Sequence, residues 1–306
     1  MLTEPTHLTF EEIRVNGAYY TNEENILKVI NPLFLEDLID EFEALKSQPE
    51  KLYTFHEKIS NLKFLDPASG CGNFLIVTYL EMIKLETKII EILIKNGLDF
   101  DFRVSLGQFY GIEIDPVACQ NSKENMKFVD SQITEQYKKV FPDFMRDRAN
   151  SDPCIVAENA LRIDWNEVIP KSELNYIIGN PPFVGYHMRT PEQREDMSLV
   201  FGKKFKRYGL LDYVAAWYKK ASDYMKGTRI EAAFVSTSSI SQGEQPAILW
   251  PPLIENNNAE INFAYRSFKW TNEGNERKAH VHCVIIGFSD YKNGKKKKIF
   301  MGEGEK

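Results

Sequence analysis

The sequence predicts an α/β fold in which helices cover both faces of a largely parallel sheet. Two observations support this prediction. Strand-like and helix-like segments alternate after residue 60, as they do in successive βα units. A glycine-containing turn, "DPASGCGNF", also joins the first strand-like segment to a long apolar helical segment. Ligands of such sheets bind beyond the carboxyl ends of the strands, so the residues that follow each strand are the candidates for a site.

Composition restricts the class of protein. The chain has 306 residues, of which 43% are apolar and 27% charged, as in globular proteins with one large or roughly two ordinary domains. The four cysteines have no paired spacing, which predicts reduced thiols in a cytoplasmic protein. No signal peptide or membrane-length apolar run is present. A net charge of -6 argues against a generic nucleic-acid coat protein but leaves a local basic face open.

The elements follow from hydrophobic periodicity. Apolar residues recur every three to four positions over residues 21–47, which predicts helices interrupted at Pro32. The clearest later helices are predicted at residues 73–96 and 211–225, each closed by a glycine. Strands are predicted at residues 61–65, 108–114, 154–157, 175–178, 230–235, 261–265 and 281–288.

The turn after the first predicted strand has the character of a nucleotide-binding loop. Gly70 and Gly72 allow a tight turn and close backbone approach, although no third glycine completes a dinucleotide pattern. Glu113 ends the second strand, where a carboxylate can accept hydrogen bonds from both ribose hydroxyls. A plain strand-to-helix turn and a surface glutamate are the alternatives for the separate signals. Together the two signals favour a ribose-binding role.

The third strand is followed by "ENALRIDW", in which Asn159 or Asp164 can bond an adenine edge. No phosphate-gripping "GxxxxGK" motif is present, and nothing supplies the second half of a dinucleotide. An adenosine attached to something other than a phosphate fits better. These features indicate S-adenosylmethionine as the cofactor.

The fourth strand ends in "NYIIGNPPFVG", which places a carboxamide at the lip of the sheet. The side-chain oxygen of Asn180 and the carbonyl oxygen of Pro181 can both accept hydrogen bonds from the N–H groups of an exocyclic amine. Pro181 and Pro182 fix φ and keep these acceptors aimed, and Phe183 offers a stacking face to a base rotated out of a duplex. An Asn180 cap and a Phe183 core contact are the alternative interpretation.

With these motifs, the chain resembles the N6-adenine DNA methyltransferases of the gamma arrangement, and in particular the MmeI-type (type IIG/IIL) restriction–modification enzymes. "GAYYT" at residues 17–21, "DPASGCGNF", "NALRIDW", "NPPF", "LLDYVAAWYKKA", "AFVSTSSISQGEQ" and "SFKWTNEGNERKAHVHCVIIGF" follow in the order of that family. The resemblance implies a Rossmann-like, seven-stranded class I S-adenosylmethionine-dependent methyltransferase sheet whose last strand, near residues 281–288, is antiparallel.

The resemblance also implies a domain division and a set of cofactor residues. We expect an N-terminal helical extension at residues 1–60, a catalytic domain at 61–290, and a basic tail or linker start at 291–306. The expected cofactor-binding residues are Gly17, Ala18, Tyr19, Thr21, Asp66, Pro67, Ala68, Gly70, Gly72, Asn73, Phe74, Glu113, Ile114, Asn159, Ala160 and Asp164.

Double-stranded DNA is the expected partner. The basic segment "GKKFKRYG" can contact phosphates through Lys203, Lys204, Lys206 and Arg207, or can be a solvated loop. Phe268 and Trp270 can stack on the target base or pack in the core. "HVHC" at residues 280–283 is interpreted as ordinary strand sequence, so no metal site is predicted.

Two other functions stay open from the sequence: a protein glutamine methyltransferase, which also uses an amide clamp, and a DNA-binding module that no longer catalyses. The family joins this domain to an N-terminal nuclease and a C-terminal target-recognition domain. Neither is evident here, so we expect a fragment of a larger protein, with a short natural chain as the alternative. The resemblance is also what selects adenine over the N4 amine of cytosine as the target.

Overall fold

A computed structural model describes residues 23–140, 151–270, 281–294 and 296–301. The described helices are α1 Glu23–Ile30, α2 Glu36–Leu45, α3 Pro49–Asn61, α4 Asn73–Lys95, α5 Pro116–Val140, α6 Trp165–Val168, α7 Pro191–Phe201, α8 Ala215–Met225 and α9 Gln245–Asn257. The described strands are β1 Phe64–Asp66, β2 Phe109–Glu113, β3 Cys154–Ala157, β4 Tyr176–Gly179, β5 Glu231–Thr237, β6 Glu260–Trp270, β7 Val281–Ser289 and β8 Lys298–Phe300. Within these ranges no helix is long and apolar enough to cross a membrane.

The strands form one sheet in the order β3-β2-β1-β4-β5-β7-β6-β8. Strands β1 to β5 are parallel, and β7 lies between β5 and β6 and runs antiparallel to both. This confirms the predicted α/β methyltransferase sheet and the antiparallel strand near residues 281–288. The strand order reverses direction at β1, so the crevice between the carboxyl ends of β1 and β4 is the topological switch point, where ligands of such folds bind.

The described residues contain eight strands, so the predicted count of seven is one too low. The additional strand, β8, falls in the segment expected to be a tail or linker and pairs in parallel with β6. Its Phe300 ring stacks on Tyr265 with the centroids 4.4 Å apart. A strand of three residues within a lysine-rich segment has no periodicity to detect, and its stability comes from a neighbouring edge that is distant in sequence.

The predicted interruption at Pro32 takes the form of a π-helical turn, Asn31–Leu35, between α1 and α2. The backbone N–H of Glu36 donates to the carbonyl oxygen of Asn31, five residues earlier, so the chain stays helical through the proline. The next residue, Leu33, and its neighbour Phe34 are buried, and the Phe34 ring contacts the rings of Phe64 and Tyr176. Burial of this apolar stretch against the sheet offsets the hydrogen bond that proline cannot make.

Two cores hold the helices to the sheet. On one face α1 to α5 pack on the strands in a single cluster, which includes residues of β1, β5 and β7 as well as the described part of the N-terminal helices. On the other face α6, α8 and α9 pack in a second cluster with Met197 and Phe201 of α7. The sheet is therefore covered by helices on both faces.

Strand β6 is longer than the predicted 261–265, and its pairing with β7 contains two irregularities. Its register to β7 shifts between Ile261 and Phe263 and again between Tyr265 and Phe268. Each shift disturbs the alternation of inward and outward side chains, so a period of two fails to detect the full strand. The same register sets Phe263 opposite Gly287.

This pairing generates a stability prediction. A Cβ atom at Gly287 would lie 2.0 Å from the Phe263 ring, so we expect Gly287→Ala to lower the free energy of unfolding by about 1–3 kcal/mol through overpacking. Urea denaturation measures the change. Gly209→Ala is the matched control, since a Cβ atom there would meet nothing within 4 Å. Equal stability of the two variants would contradict the prediction, and adding Phe263→Leu should restore part of the loss at Gly287.

Candidate functional site at the switch point

The turn between β1 and α4 has a backbone that requires glycine at two positions. Gly70 and Gly72 adopt φ of 52° and 91°, which side chains other than glycine rarely adopt. A Cβ atom at Gly72 would also lie 2.5 Å from the Oγ of Ser122 on α5. Asn73 and Phe74 then begin α4, whose 23 residues start directly at this turn. The amino end of a long helix thus opens onto the crevice.

Glu113, at the carboxyl end of β2, lies against the glycine turn. Its Oε2 accepts a hydrogen bond from the backbone N–H of Gly70 at 2.7 Å, and its Oε1 accepts one from Asp115 at 3.0 Å. The side chain is half-buried, and the next residue, Ile114, is exposed. Each carboxylate oxygen has two lone pairs, so acceptor capacity remains for a ligand hydroxyl. The structure thus brings Gly70 and Glu113 together, although 43 residues separate them.

Asp66 and Gly179 meet where β1 and β4 end. A Cβ atom at Gly179 would lie 2.6 Å from Oδ1 of Asp66, so only glycine allows this approach. The Asp66 carboxyl is buried and accepts a hydrogen bond from the N–H of Ala68 at 2.9 Å. Burial raises the pKa of Asp66 to about 8, helped by the charge of Glu113 and opposed by the Ala68 hydrogen bond. An acid of this kind favours a cationic group as neighbour.

Asn180 follows directly at the lip of β4. Its Oδ1 atom is buried and has no hydrogen-bond partner among the residues that the structure describes. Leaving such an acceptor unsatisfied costs about 1–3 kcal/mol. Pro181 is buried, Pro182 is exposed, and half-buried Phe183 packs at the margin of the core that carries α1 to α5. A rigid, buried acceptor without an internal donor is suited to a donor supplied by a ligand.

The loop after β3 is held by its own side chains. Asn159 accepts a hydrogen bond from the N–H of Leu161 and donates one to Asp196. Asp164 caps α6 through the N–H of Asn166, and this bond lowers the pKa of its carboxyl. Ala160 is buried. These contacts fix the shape of the loop, and an adenine contact by Asn159 or Asp164 stays a prediction.

The expected DNA-contacting residues fall into two groups. Lys203, Lys204, Lys206 and Arg207 are exposed in the segment after α7. Lys204, Lys206 and Arg207 line a cleft of 530 Å³ whose other wall is α9, and Arg207 forms an exposed ion pair with Glu244. Phe268, in contrast, is buried in the core, with the Lys28 ammonium 5.6 Å from its ring centroid. Trp270 ends β6. Gly17, Ala18, Tyr19 and Thr21 lie outside the described residues.

Helix α8 contributes a residue that the sequence interpretation did not assign. The indole N–H of Trp217 donates to the carbonyl oxygen of Pro67 at 3.0 Å, so α8 holds the turn between β1 and α4 in place. The motif "LLDYVAAWYKKA" contains this tryptophan. A buried tryptophan needs a hydrogen-bond acceptor, but the sequence alone does not identify an acceptor 150 residues away.

Comparison with known proteins agrees with this geometry. Residues 42–301 match the protein family described as "MmeI, DNA-methyltransferase domain". The chain belongs to this family. The chain is 38% identical over 296 residues to DNA methyltransferase A of Bacillus subtilis (strain 168), and the match covers 95% of this chain and 33% of that protein.

A solved structure shares both sequence and fold. The type IIL restriction-modification enzyme MmeI, determined in complex with DNA, is 43% identical with a TM-score of 0.86. The match covers 97% of this chain and 40% of that one. The chain thus spans 33% and 40% of the lengths of these two relatives.

The buried acid at the switch point generates a pH prediction. The folded protein holds a proton on Asp66 up to about pH 8, whereas an unfolded aspartate releases it near the ordinary value of 3.8. Folding therefore takes up a proton between these values, and the free energy of unfolding should fall as pH rises from about 4 to about 8. We expect Asp66→Asn to remove most of this slope. Urea midpoints at pH 5 and pH 8 measure it, and equal slopes in both proteins would contradict the assignment.

Proposed function

We propose that this chain is an S-adenosylmethionine-dependent DNA methyltransferase domain that modifies the N6 amine of a flipped adenine in a restriction–modification system. The observation that carries the proposal is the buried, unpartnered Oδ1 of Asn180, among the described residues, at the crevice between β1 and β4. Membership of the MmeI methyltransferase family supports DNA as the substrate.

The residues around the crevice fit S-adenosylmethionine. Glu113 has acceptor capacity for ribose hydroxyls beside the Gly70 N–H, and the absence of any atom of the described residues within 4 Å of a Cβ position at Gly70 leaves space for close approach. Buried Asp66 suits a neighbouring cation, and the cofactor has two, its sulfonium and its ammonium group. When bound, the cofactor supplies an electrophilic methyl group.

The role of the chain itself is to prepare the attacking amine. The lone pair of an adenine amine is delocalised into the ring, which makes the amine a poor nucleophile. The Asn180 side-chain oxygen and the Pro181 carbonyl oxygen would each accept one amine hydrogen and so favour a tetrahedral nitrogen. Because the prolines fix the backbone, these acceptors need little reorganisation during the reaction. Phe183 would stack on the base, which must leave the duplex to reach the crevice.

The N4 amine of cytosine has the same two hydrogens, and the choice of adenine depends on resemblance to the gamma-class family. Exposed Lys203, Lys204 and Lys206 would contact phosphates of the DNA. We assign sequence recognition and DNA cleavage to further domains or subunits, consistent with the 33% and 40% of the two relatives that the chain covers.

Exposed thiols at Cys71 and Cys154 fit a cytoplasmic location.

The first functional prediction concerns the proposed clamp for the target amine, residues 180–183. Asn180→Ala should lower the rate of methyl transfer by about 10²–10³ because one preorganised acceptor is lost, with S-adenosylmethionine affinity nearly unchanged. Methylation of mixed-sequence duplex followed by nucleoside mass analysis measures the rate and identifies the methylated base. Asn262→Ala is the matched control, a buried asparagine in β6 that donates to Ser289. Near wild-type methylation by Asn180→Ala would refute the clamp, and methylcytosine as product would refute the choice of adenine.

The second functional prediction concerns the cofactor. Glu113→Ala should weaken S-adenosylmethionine binding about ten- to a hundredfold, or roughly 1.5–3 kcal/mol, because the ribose loses a charged acceptor. Glu113→Gln keeps an oxygen for the Gly70 N–H and should show a smaller loss, which separates support of the turn from contact with the ligand. Titration calorimetry measures both. Unchanged affinity in a correctly folded Glu113→Ala variant would remove this residue from the site.

A further inference from the structure

We propose that Asp212 is the positioning residue of the clamp, a buried carboxylate that fixes the segment after Asn180 to the end of β5. This inference rests on the proposed function, since it assigns Asp212 a role in the same reaction. Asp212 lies just before α8 and is only 8% exposed. It contacts protein groups from three separate segments and has no direct role in bonding the amine.

The first contact is to residues 184–186, which directly follow the clamp. Oδ1 of Asp212 accepts a hydrogen bond from the backbone N–H of Tyr186 at 3.0 Å. The adjacent N–H of Tyr213 donates to the carbonyl oxygen of Val184 at 2.9 Å. Two bonds in opposite directions therefore fasten residues 184–186 to the start of α8. Because Phe183 directly precedes this tie, the tie restricts where its ring and the preceding prolines can lie.

The second contact is to the end of the neighbouring strand. The Oδ2 atom of Asp212 accepts hydrogen bonds from the hydroxyls of Ser239, at 2.5 Å, and Thr237, at 3.4 Å. Thr237 ends β5, and β5 pairs with β4, the strand that leads to Asn180. One carboxylate thus joins the loops that follow two adjacent strands. These contacts are hydrogen bonds to neutral donors, so the structure pairs Asp212 with groups that orient it.

The third contact holds Asp212 itself in place. Its backbone N–H donates to the side-chain oxygen of Gln245 at 2.9 Å, and Gln245 begins α9. This bond gives a role to the "SQGEQ" segment, in which Gln245 is the last residue. In α8, the indole N–H of Trp217 donates to the carbonyl oxygen of Pro67. Helix α8 and the residues just before it therefore support both residues 184–186 and the turn after β1. A displacement of Asp212 would move residues 184–186 directly.

The chemistry of the contacts predicts which replacements succeed. Asparagine at position 212 can accept from the Tyr186 N–H with its oxygen and donate its NH₂ to the hydroxyls of Ser239 and Thr237, which are also acceptors. Alanine can do neither and leaves the Tyr186 N–H and both hydroxyls without this partner. A displacement of about 1 Å at a reacting group can cost about 10²-fold in rate. Asp212→Asn therefore keeps the geometry of these contacts and removes only the charge, which acts on the buried guanidinium of Arg189.

The experiment compares Asp212→Ala, Asp212→Asn and Tyr224→Phe with the wild-type chain. Tyr224→Phe is the matched control, because Tyr224 is buried near the other end of α8 and its hydroxyl donates to Ile169 at 2.6 Å. Amide hydrogen exchange of the peptide covering residues 184–190 measures the tie. Methyl transfer from radiolabelled S-adenosylmethionine to mixed-sequence duplex gives kcat and the KM for the cofactor.

We expect Asp212→Ala to exchange faster in this peptide and to lower kcat by about 10²-fold, with the KM for S-adenosylmethionine within about twofold of wild type. Asp212→Asn should recover kcat to within about tenfold, and Tyr224→Phe should leave kcat and exchange in this peptide unchanged. The inference is overturned if Asp212→Ala keeps its kcat, if exchange does not change, or if Asp212→Asn is as slow as Asp212→Ala. A wild-type chain that methylates no duplex overturns the proposed function, and this inference with it.

Discussion

The approach of Asp66 to Gly179 sets the geometry of the crevice between β1 and β4. The two strands are adjacent and parallel, and their ends meet with a carboxyl oxygen 2.6 Å from the position that a Cβ atom would occupy. Any larger residue at position 179 would have to displace the Asp66 carboxyl. The glycine turn continues from Asp66 and the segment of Asn180 from Gly179, so this contact brings together the segments proposed to bind the cofactor and the target base.

The crevice contains polar groups that the fold leaves incompletely satisfied. Asp66 is buried with one backbone donor in the described structure, and Oδ1 of Asn180 has none there. Both arrangements lower stability in the empty protein, by desolvation of a carboxyl and by loss of a hydrogen bond. A ligand that brings a cation to one and an amine to the other would recover this free energy. The site is therefore prepared for binding at a cost to the unliganded fold.

The crevice is held by α8 and by the residues just before it. Trp217 of α8 bonds the turn after β1, and Asp212, just before α8, bonds both the segment after the clamp and the end of β5. The basic segment after α7 lies beside α9 on this same side. The proposed phosphate contacts and the geometry around Asn180 would thus share one structural support, which fits the proposed binding of a flipped base.

The sequence by itself determined the local elements and the class of fold. Strand β3 is observed at the predicted residues, and α4 ends one residue before the prediction, because hydrophobic periodicity and glycine stops are local properties. The glycine turn and the proline-stiffened amide were also recognisable from neighbouring residues. Tertiary structure decided the rest. The Gly70 bond to Glu113, the burial of Asn180, the core position of Phe268, the strand β8 and the ties from Asp212 all join residues brought together by strand order. No window of sequence contains that order, since it results from long-range pairing and packing rather than from the propensity of any segment.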